Sequence, residues 1–178
     1  MGRRNSDGAG FLPRKKKKGL NAPPPDQPWV WFSFEMLESG SMRSLSVNGM
    51  RVFHRIQLEH MSHGGLENGR LKVTWLDFEK FGVSRRLIKK SIDETIAAGL
   101  VAIEQRGRRA HGEDRGEPTQ YRLTYLPVAE PGDYRPATND WKRFESNAGA
   151  ARDAIKAVAR RGGNSKAKAD FKAWPIPP

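Results

Sequence analysis

The feature that most constrains the fold is the stretch F-G-V-S-R-R-L-I-K-K-S-I at residues 81–92, where a glycine turn meets an amphipathic cationic segment. Gly82 suits the end of one helix, and Ser84 belongs to the residue types that cap the start of the next. At 100° per residue the second helix has one apolar arc and one charged arc. The apolar arc holds Leu87, Ile88, Ser91, Ile92 and Thr95, and the opposite arc holds Arg86, Lys89, Lys90 and Asp93. This pattern predicts a helix-turn-helix unit in which the second helix is core on one side and cationic on the other.

Capping and turn residues extend the pattern toward the N-terminus. Ser46 can cap a helix that runs to about Ser62, where Gly64 and Gly65 provide a stop. An Asn-Gly turn then precedes a short strand over residues 71–73, and Thr74 can cap a short helix that ends at the glycine turn. We therefore expect a helix, a short strand and the two helices of the motif in this order.

Toward the C-terminus, two segments alternate apolar and polar residues as strands do. They cover residues 100–106 and 119–126, and a long polar segment, 107–118, separates them. Such a connection is longer than a tight hairpin needs, and it carries several arginines. The predicted fold class is mainly α with a small β-hairpin, that is α+β, and the hairpin tip is interpreted as a wing.

The net charge of +12 at neutral pH lies mostly in the two ends of the chain, whereas the middle is the best balanced and holds most of the aromatic and branched residues. This distribution predicts one folded domain between basic tails. The organisation expected is a disordered basic arm (1–28), the domain (29–127), a proline-broken connector (128–145), an amphipathic basic helix (146–162) and a flexible basic tail (163–178). The connector ends in Trp141 and Phe144, for which two alternatives stay open: packing back onto the domain or docking a partner.

Composition also argues against several classes of protein. The chain has no cysteine, which excludes disulfides and thiolate zinc sites. No apolar run approaches the ~20 residues of a membrane span, and the N-terminus lacks the apolar core of a signal peptide. We expect a cytoplasmic, nucleoid-associated protein with no membrane partner.

The order of elements over about 46–126 resembles the winged helix-turn-helix superfamily, with Thr74, Gly82, Ser84 and Gly99-Leu100 as its anchors. More narrowly, S-G-S-M-R-S-L-S, E-H-M-S-H-G-G-L-E-N-G-R-L and Y-R-L-T-Y-L are similar to a group of small, mostly uncharacterised winged-helix proteins from alpha-proteobacterial chromosomes, plasmids and prophages. The resemblance implies a fold that binds double-stranded DNA.

In that superfamily the second helix of the motif enters the major groove, and the wing meets the backbone or the minor groove. Arginine and lysine can bond guanine there, and a carboxylate can accept from cytosine. The implied groove residues are Ser84, Arg85, Arg86, Lys89, Lys90 and Asp93. The implied wing contacts are Arg106, Arg108, Arg109 and Arg115. Residues expected to hold phosphates without reading bases are Lys15, Lys16, Lys17, Lys18, Arg152, Lys156 and Arg160.

Other interpretations of these residues stay open. The charged arc is also compatible with a solvated face that contains a Lys89–Asp93 pair, and the 107–118 segment with a mobile loop of mixed charge. His60 and His63 stand three apart at a helix end, but no further ligand is evident, so we expect neither a metal nor a cofactor. Signatures of enzymes are missing, and a nuclease with scattered carboxylates is the enzymatic alternative.

The function expected is sequence-specific binding to duplex DNA, by a transcriptional regulator or by a replication or maintenance factor of a mobile element. The alternative is a protein-docking module whose basic tails bind nucleic acid loosely. RNA binding ranks third, because no aromatic strand of the RNP type is present. A homodimer through the aromatic block at residues 29–37 or through the C-terminal helix is a candidate assembly, and that helix and the tail are candidate sites for a protein partner.

Overall fold

The computed structural model describes residues 27–108, 111, 116–130 and 132–163. The α-helices in these ranges are α1 (Phe34–Glu38), α2 (Gly40–Arg43), α3 (Val47–Ser62), α4 (Trp75–Lys80), α5 (Arg85–Ala97) and α6 (Ala148–Gly163). The strands are β1 (Leu71–Lys72), β2 (Val101–Gln105), β3 (Gln120–Leu123), β4 (Val128–Glu130) and β5 (Asp133–Arg135), and a 3₁₀ helix covers Asp140–Phe144. This helix-rich mixture with small antiparallel sheets confirms the predicted α+β class.

The helices begin at the predicted capping residues. The Ser46 hydroxyl accepts a hydrogen bond from the Gly49 amide at 3.1 Å, which satisfies one of the free donors at the start of α3. At α4, Thr74 and Asp77 form a reciprocal capping box, in which each side chain accepts from the other residue's backbone amide. Hydrogen bonds from Thr74, which outweigh partial burial, hold the pKa of the Asp77 carboxyl below its ordinary value. These predicted starts of helices are confirmed.

A three-stranded antiparallel sheet packs beside the helices in the order β1-β3-β2. Leu71 faces Tyr121 across one pair, and Val101 faces Leu123 across the other. The register shifts between Ile103 and Gln105, at the point where the β2–β3 hairpin leaves the core. The short strand and the hairpin predicted from alternation are both present.

One core joins the helices to the sheet. Its fully buried members include Phe53, Ile56, Phe78, Ile88, Leu100, Tyr121 and Leu123. Phe32 stacks on Tyr125 with ring centroids 5.8 Å apart, so the aromatic block before α1 contributes to the same core. Trp29 and Trp31 of that block nevertheless remain about half exposed, at 58% and 48%.

The segment expected to be a proline-broken connector, 128–145, is folded against this core. Strands β4 and β5 form a second antiparallel hairpin, and the 3₁₀ helix buries Trp141 to 3% exposure. The Ser41 hydroxyl donates to the Trp141 carbonyl at 2.9 Å, and the Gly40 amide donates to the Glu145 carbonyl at 3.1 Å. Burial of the Trp141 side chain and these long-range hydrogen bonds stabilise the folded segment, although its prolines disfavour regular secondary structure.

The helix predicted at the C-terminal side is present as α6, which packs against α5 and α2. The Asn147 side chain accepts from the Ala150 amide at 2.9 Å, and Ala151 is fully buried. The basic arm and the basic tail predicted at the two ends lie outside the described residues, apart from the few that join the arm to the core and the tail to α6.

Candidate nucleic-acid interface

Helix α5 divides into the two predicted faces. Ile88, Ser91, Ile92 and Thr95 are buried, whereas Arg85, Arg86, Lys89 and Lys90 are exposed and Asp93 is partly exposed. We call the set Arg85, Arg86, Lys89, Lys90 and Asp93 the cationic stripe. Because the opposite face of α5 is anchored in the core, the stripe is presented to solvent on a rigid element.

Two of the four cations in the stripe are engaged by carboxylates. Lys89 Nζ lies 2.5 Å from Asp93 Oδ2 within the helix, and Arg85 Nη1 lies 3.2 Å from Glu79 Oε2 at the end of α4. Within the part of the chain that the structure describes, the side chains of Arg86 and Lys90 make no ion pair or hydrogen bond. The stripe therefore offers two uncommitted cations one helical turn apart.

The turn that precedes α5 brings the stripe to the surface. Gly82 has a φ of +87°, a conformation that side-chain-bearing residues rarely adopt, and Val83 is buried beneath the turn. Ser84 occupies the capping position, but the prediction that its side chain caps α5 is wrong. The Leu87 amide donates instead to the Ser84 main-chain carbonyl at 2.7 Å, and the hydroxyl is left without a cap bond in an exposed position.

Helix α3 holds α5 through contacts that the sequence interpretation missed. The Glu94 carboxylate, 6% exposed, accepts hydrogen bonds from the Ser46 amide and, at 2.8 Å, from the Ser46 hydroxyl. The Arg51 guanidinium donates to the Gly82 carbonyl at 2.6 Å. Two features of the sequence could have predicted these contacts, namely Glu94 at the border of the apolar arc of α5 and Gly49 inside a helix.

The hairpin predicted as a wing is described only at its base. The Arg108 and Glu117 main chains bridge the two strands with paired bonds of 2.9 Å, and the two side chains lie 3.6 Å apart. Arg106 is exposed at the same end of the sheet. Arg109 and Arg115 lie outside the described residues.

Within this hairpin, Glu104 of β2 engages Arg122 of β3 and also Arg135 of β5. Glu104 Oε1 lies 2.5 Å from Arg122 Nε, and Glu104 Oε2 lies 3.1 Å from Arg135 Nη1. Partial burial disfavours the carboxylate, but the hydrogen bonds from Arg135 and Arg122 hold the pKa of Glu104 below its ordinary value. One carboxylate therefore balances half of the positive charge of these two arginines.

A second set of cations lies on α6. Arg152, Lys156 and Arg160 are exposed, and Lys156 pairs with Asp153 at 3.6 Å. Because α6 packs against α5, this basic surface belongs to the same folded body as the cationic stripe. The four predicted phosphate contacts of the arm, Lys15 to Lys18, lie outside the described residues.

The histidines at the end of α3 differ in environment. His60 is buried, and its Nδ1 has no hydrogen-bond partner in the part of the chain that the structure describes; burial together with the nearby His63 lowers its pKa. His63 is half exposed and lies within 4 Å of carboxylate oxygens of both Glu59 and Glu67. Among the described residues, no group of three or more histidine or acidic side chains is arranged to hold a metal ion.

In the described ranges, no helix has both the length and the apolar composition needed to cross a membrane. Comparison with protein-family models, with curated proteins and with solved structures finds no match to this chain.

Proposed function

We propose that this protein is a winged helix-turn-helix protein that binds duplex DNA sequence-specifically, with α5 in the major groove. The observation that carries the proposal is the cationic stripe, in which Arg86 and Lys90 have no partner among the described residues and project from a helix whose other face is core. The element order, with a short edge strand ahead of two helices and an arginine-bearing hairpin after them, is the order expected for a winged helix.

Arg86 and Lys90 are the proposed base-reading residues. They stand four residues apart, so their side chains leave α5 about 6 Å from each other. This spacing matches roughly two base-pair steps along the groove, since each step rises about 3.4 Å. Both side chains can donate to O6 and N7 of guanine. Asp93, oriented by Lys89, can accept from cytosine N4.

The remaining cations supply affinity rather than readout. The exposed Ser84 hydroxyl and the free amides at the start of α5 suit a phosphate oxygen. Further phosphates would be contacted, and condensed counterions released, by Arg106 and Arg108 at the hairpin base, by the exposed cations of α6 and by the N-terminal lysines. Binding should therefore weaken steeply as salt increases.

The test is a selection from random duplexes by the full-length protein, followed by competition binding of variants. Arg86→Ala and Lys90→Ala should leave the free energy of unfolding within roughly 0.5 kcal/mol, as for other exposed positions. Each should lower the preference for the selected duplex over random duplex by about 1–3 kcal/mol if it contacts a base. Arg43→Ala, which removes an exposed cation from α2, is the matched control. Parent-like discrimination by both α5 variants would contradict the proposal.

The biological role proposed is transcriptional regulation, or replication or maintenance of a mobile element. Chromatin immunoprecipitation with sequencing in the native host separates the two. Sites upstream of several genes would support regulation, whereas one sharp site beside a replication gene would support maintenance.

A protein-docking module is the second candidate, favoured by an exposed apolar cluster at the start of the domain. Trp29, Trp31, Phe34 and Leu37 are all about half exposed or more, and such clusters mark interaction surfaces. The proposed occupant is a second copy of the chain. Sedimentation of the parent and of a Trp31→Ser, Phe34→Ser variant tests it: a dimer that the variant loses supports the surface, and a monomeric parent refutes it.

A further inference from the structure

Glu94 is a buried carboxylate on the same helix as the cationic stripe, and its partners lie 48 residues away along the chain. It accepts from both the amide and the hydroxyl of Ser46, at the positive end of α3. The Ser46 hydroxyl in turn accepts from the Gly49 amide. One carboxylate thus completes the N-cap of α3 and fixes α5 to it.

Gly49 shows how closely the carboxylate is held. A Cβ at this position would lie 2.9 Å from Glu94 Cδ, so a side chain here would displace the carboxylate. A second contact is made near the other end of α5, where Arg51 of α3 donates to the carbonyl of Gly82 in the preceding turn. The first two turns of α3 therefore hold α5 at two points, and these contacts resist its rotation about its own axis.

We propose that Glu94 is a positioning residue for DNA readout, which sets the rotation of α5 and hence the direction in which Arg86 and Lys90 point. A rotation of about 20° at the ~5–6 Å radius of a helix surface moves a charged group by about 2 Å. A bidentate base contact tolerates only about 0.5 Å of displacement, whereas attraction to phosphates tolerates much more. Loss of the tether should remove discrimination between sequences and spare bulk affinity.

This inference rests on the proposed function, so its test has one arm with DNA and one without. In the first arm, Glu94→Gln keeps the shape but offers only one acceptor oxygen, and Gly49→Ala displaces the carboxylate without removing it. Both variants should lose about tenfold in preference for the selected duplex, the scale of one bidentate contact, while binding to random duplex stays within about twofold. Glu59→Gln, which removes a half-buried carboxylate paired with Arg55 inside α3, is the matched control and should keep its preference. Titrations are run at a temperature where circular dichroism shows every variant folded.

The second arm measures the α3–α5 geometry directly. The chain has no cysteine, so Leu58→Cys on α3 and Lys90→Cys on α5 give a unique pair of spin labels. Glu94→Gln and Gly49→Ala should each shift or broaden the label-to-label distance distribution relative to the labelled parent. If the parent selects no duplex, the proposed function fails and this arm alone decides: a changed distribution supports the tether, and an unchanged one overturns it. Unchanged discrimination, or an equal fall in specific and random binding, also overturns the positioning role.

Discussion

Replacing Trp141 by alanine should destabilise the whole domain, although Trp141 lies beyond the segment that the sequence marks as the domain. Its side chain is 3% exposed, and its Nε1 donates to the Asn139 side chain at 3.2 Å. A tryptophan buries roughly 200 Å² of side chain, and at ~25 cal/mol per Å² this is about 5 kcal/mol as an upper value. Measured Trp→Ala changes in cores cost about 3–5 kcal/mol, a large share of a typical stability of ~5–15 kcal/mol.

The assay is urea unfolding followed by far-UV circular dichroism, which does not depend on tryptophan emission. Trp29→Ala is the matched control, since it deletes the same side chain at a position that is 58% exposed. We expect Trp141→Ala to cost at least about 2 kcal/mol more than Trp29→Ala, in proportion to the area each removes from water. Equal costs for the two variants would refute the reasoning and would mean that the 3₁₀ helix is not part of the core.

Two further predictions concern pH and the N-terminal arm. Burial lowers the pKa of His60 in the folded protein, so the unfolded chain takes up a proton first as pH falls through about 6.5, and stability should decrease below that pH by at most ~1.4 kcal/mol per unit for this group. Urea melts at pH 7.5 and 5.0 should show this loss in the parent and a smaller one in His60→Phe. Deleting residues 1–28 should weaken binding to selected and random duplexes by the same factor, since lysines that contact phosphates read no bases. Competition titrations that show a selective loss of the preferred duplex would instead assign base reading to the arm.

The elements that sequence reasoning placed correctly are those with local signals at both ends. Helix α3 is bounded by Ser46 and by a glycine pair, and α4 carries its own capping box. The division of α5 into two faces follows from its period, because burial on one side of a helix leaves a 3.6-residue pattern. These features need no knowledge of distant partners.

The elements that were missed depend on partners far along the chain or are too short to show a period. Helices α1 and α2 have five and four residues, and α2 starts at a glycine. Neither arc predicted for α5 included Glu94, whose burial depends on its hydrogen bonds to Ser46, 48 residues away along the chain. The ion pair between Arg85 of the cationic stripe and Glu79 of α4 was also missed, because the two residues lie on different helices. The prolines in the segment before Trp141 predicted a connector and left open whether its aromatic side chains fold back onto the domain; the burial of Trp141 shows that this one does.

Two close approaches of main chain, at Gly40 and Gly99, also bear on which substitutions this fold accepts. Gly99 has a φ of +75°, and a Cβ there would lie 2.6 Å from the Asp140 carbonyl oxygen. A Cβ at Gly40 would lie 2.6 Å from the Ala148 amide nitrogen. Both neighbours are backbone atoms, which cannot rotate away as a side chain can. Charged residues of the cationic stripe can be replaced without moving the main chain, but these two positions admit no larger residue without moving the 3₁₀ helix or α6. We therefore expect distant homologues to keep glycines at the positions of Gly40 and Gly99, about 60 residues apart along the chain, and the buried tryptophan that follows them. These three positions should identify homologues better than matching basic residues do.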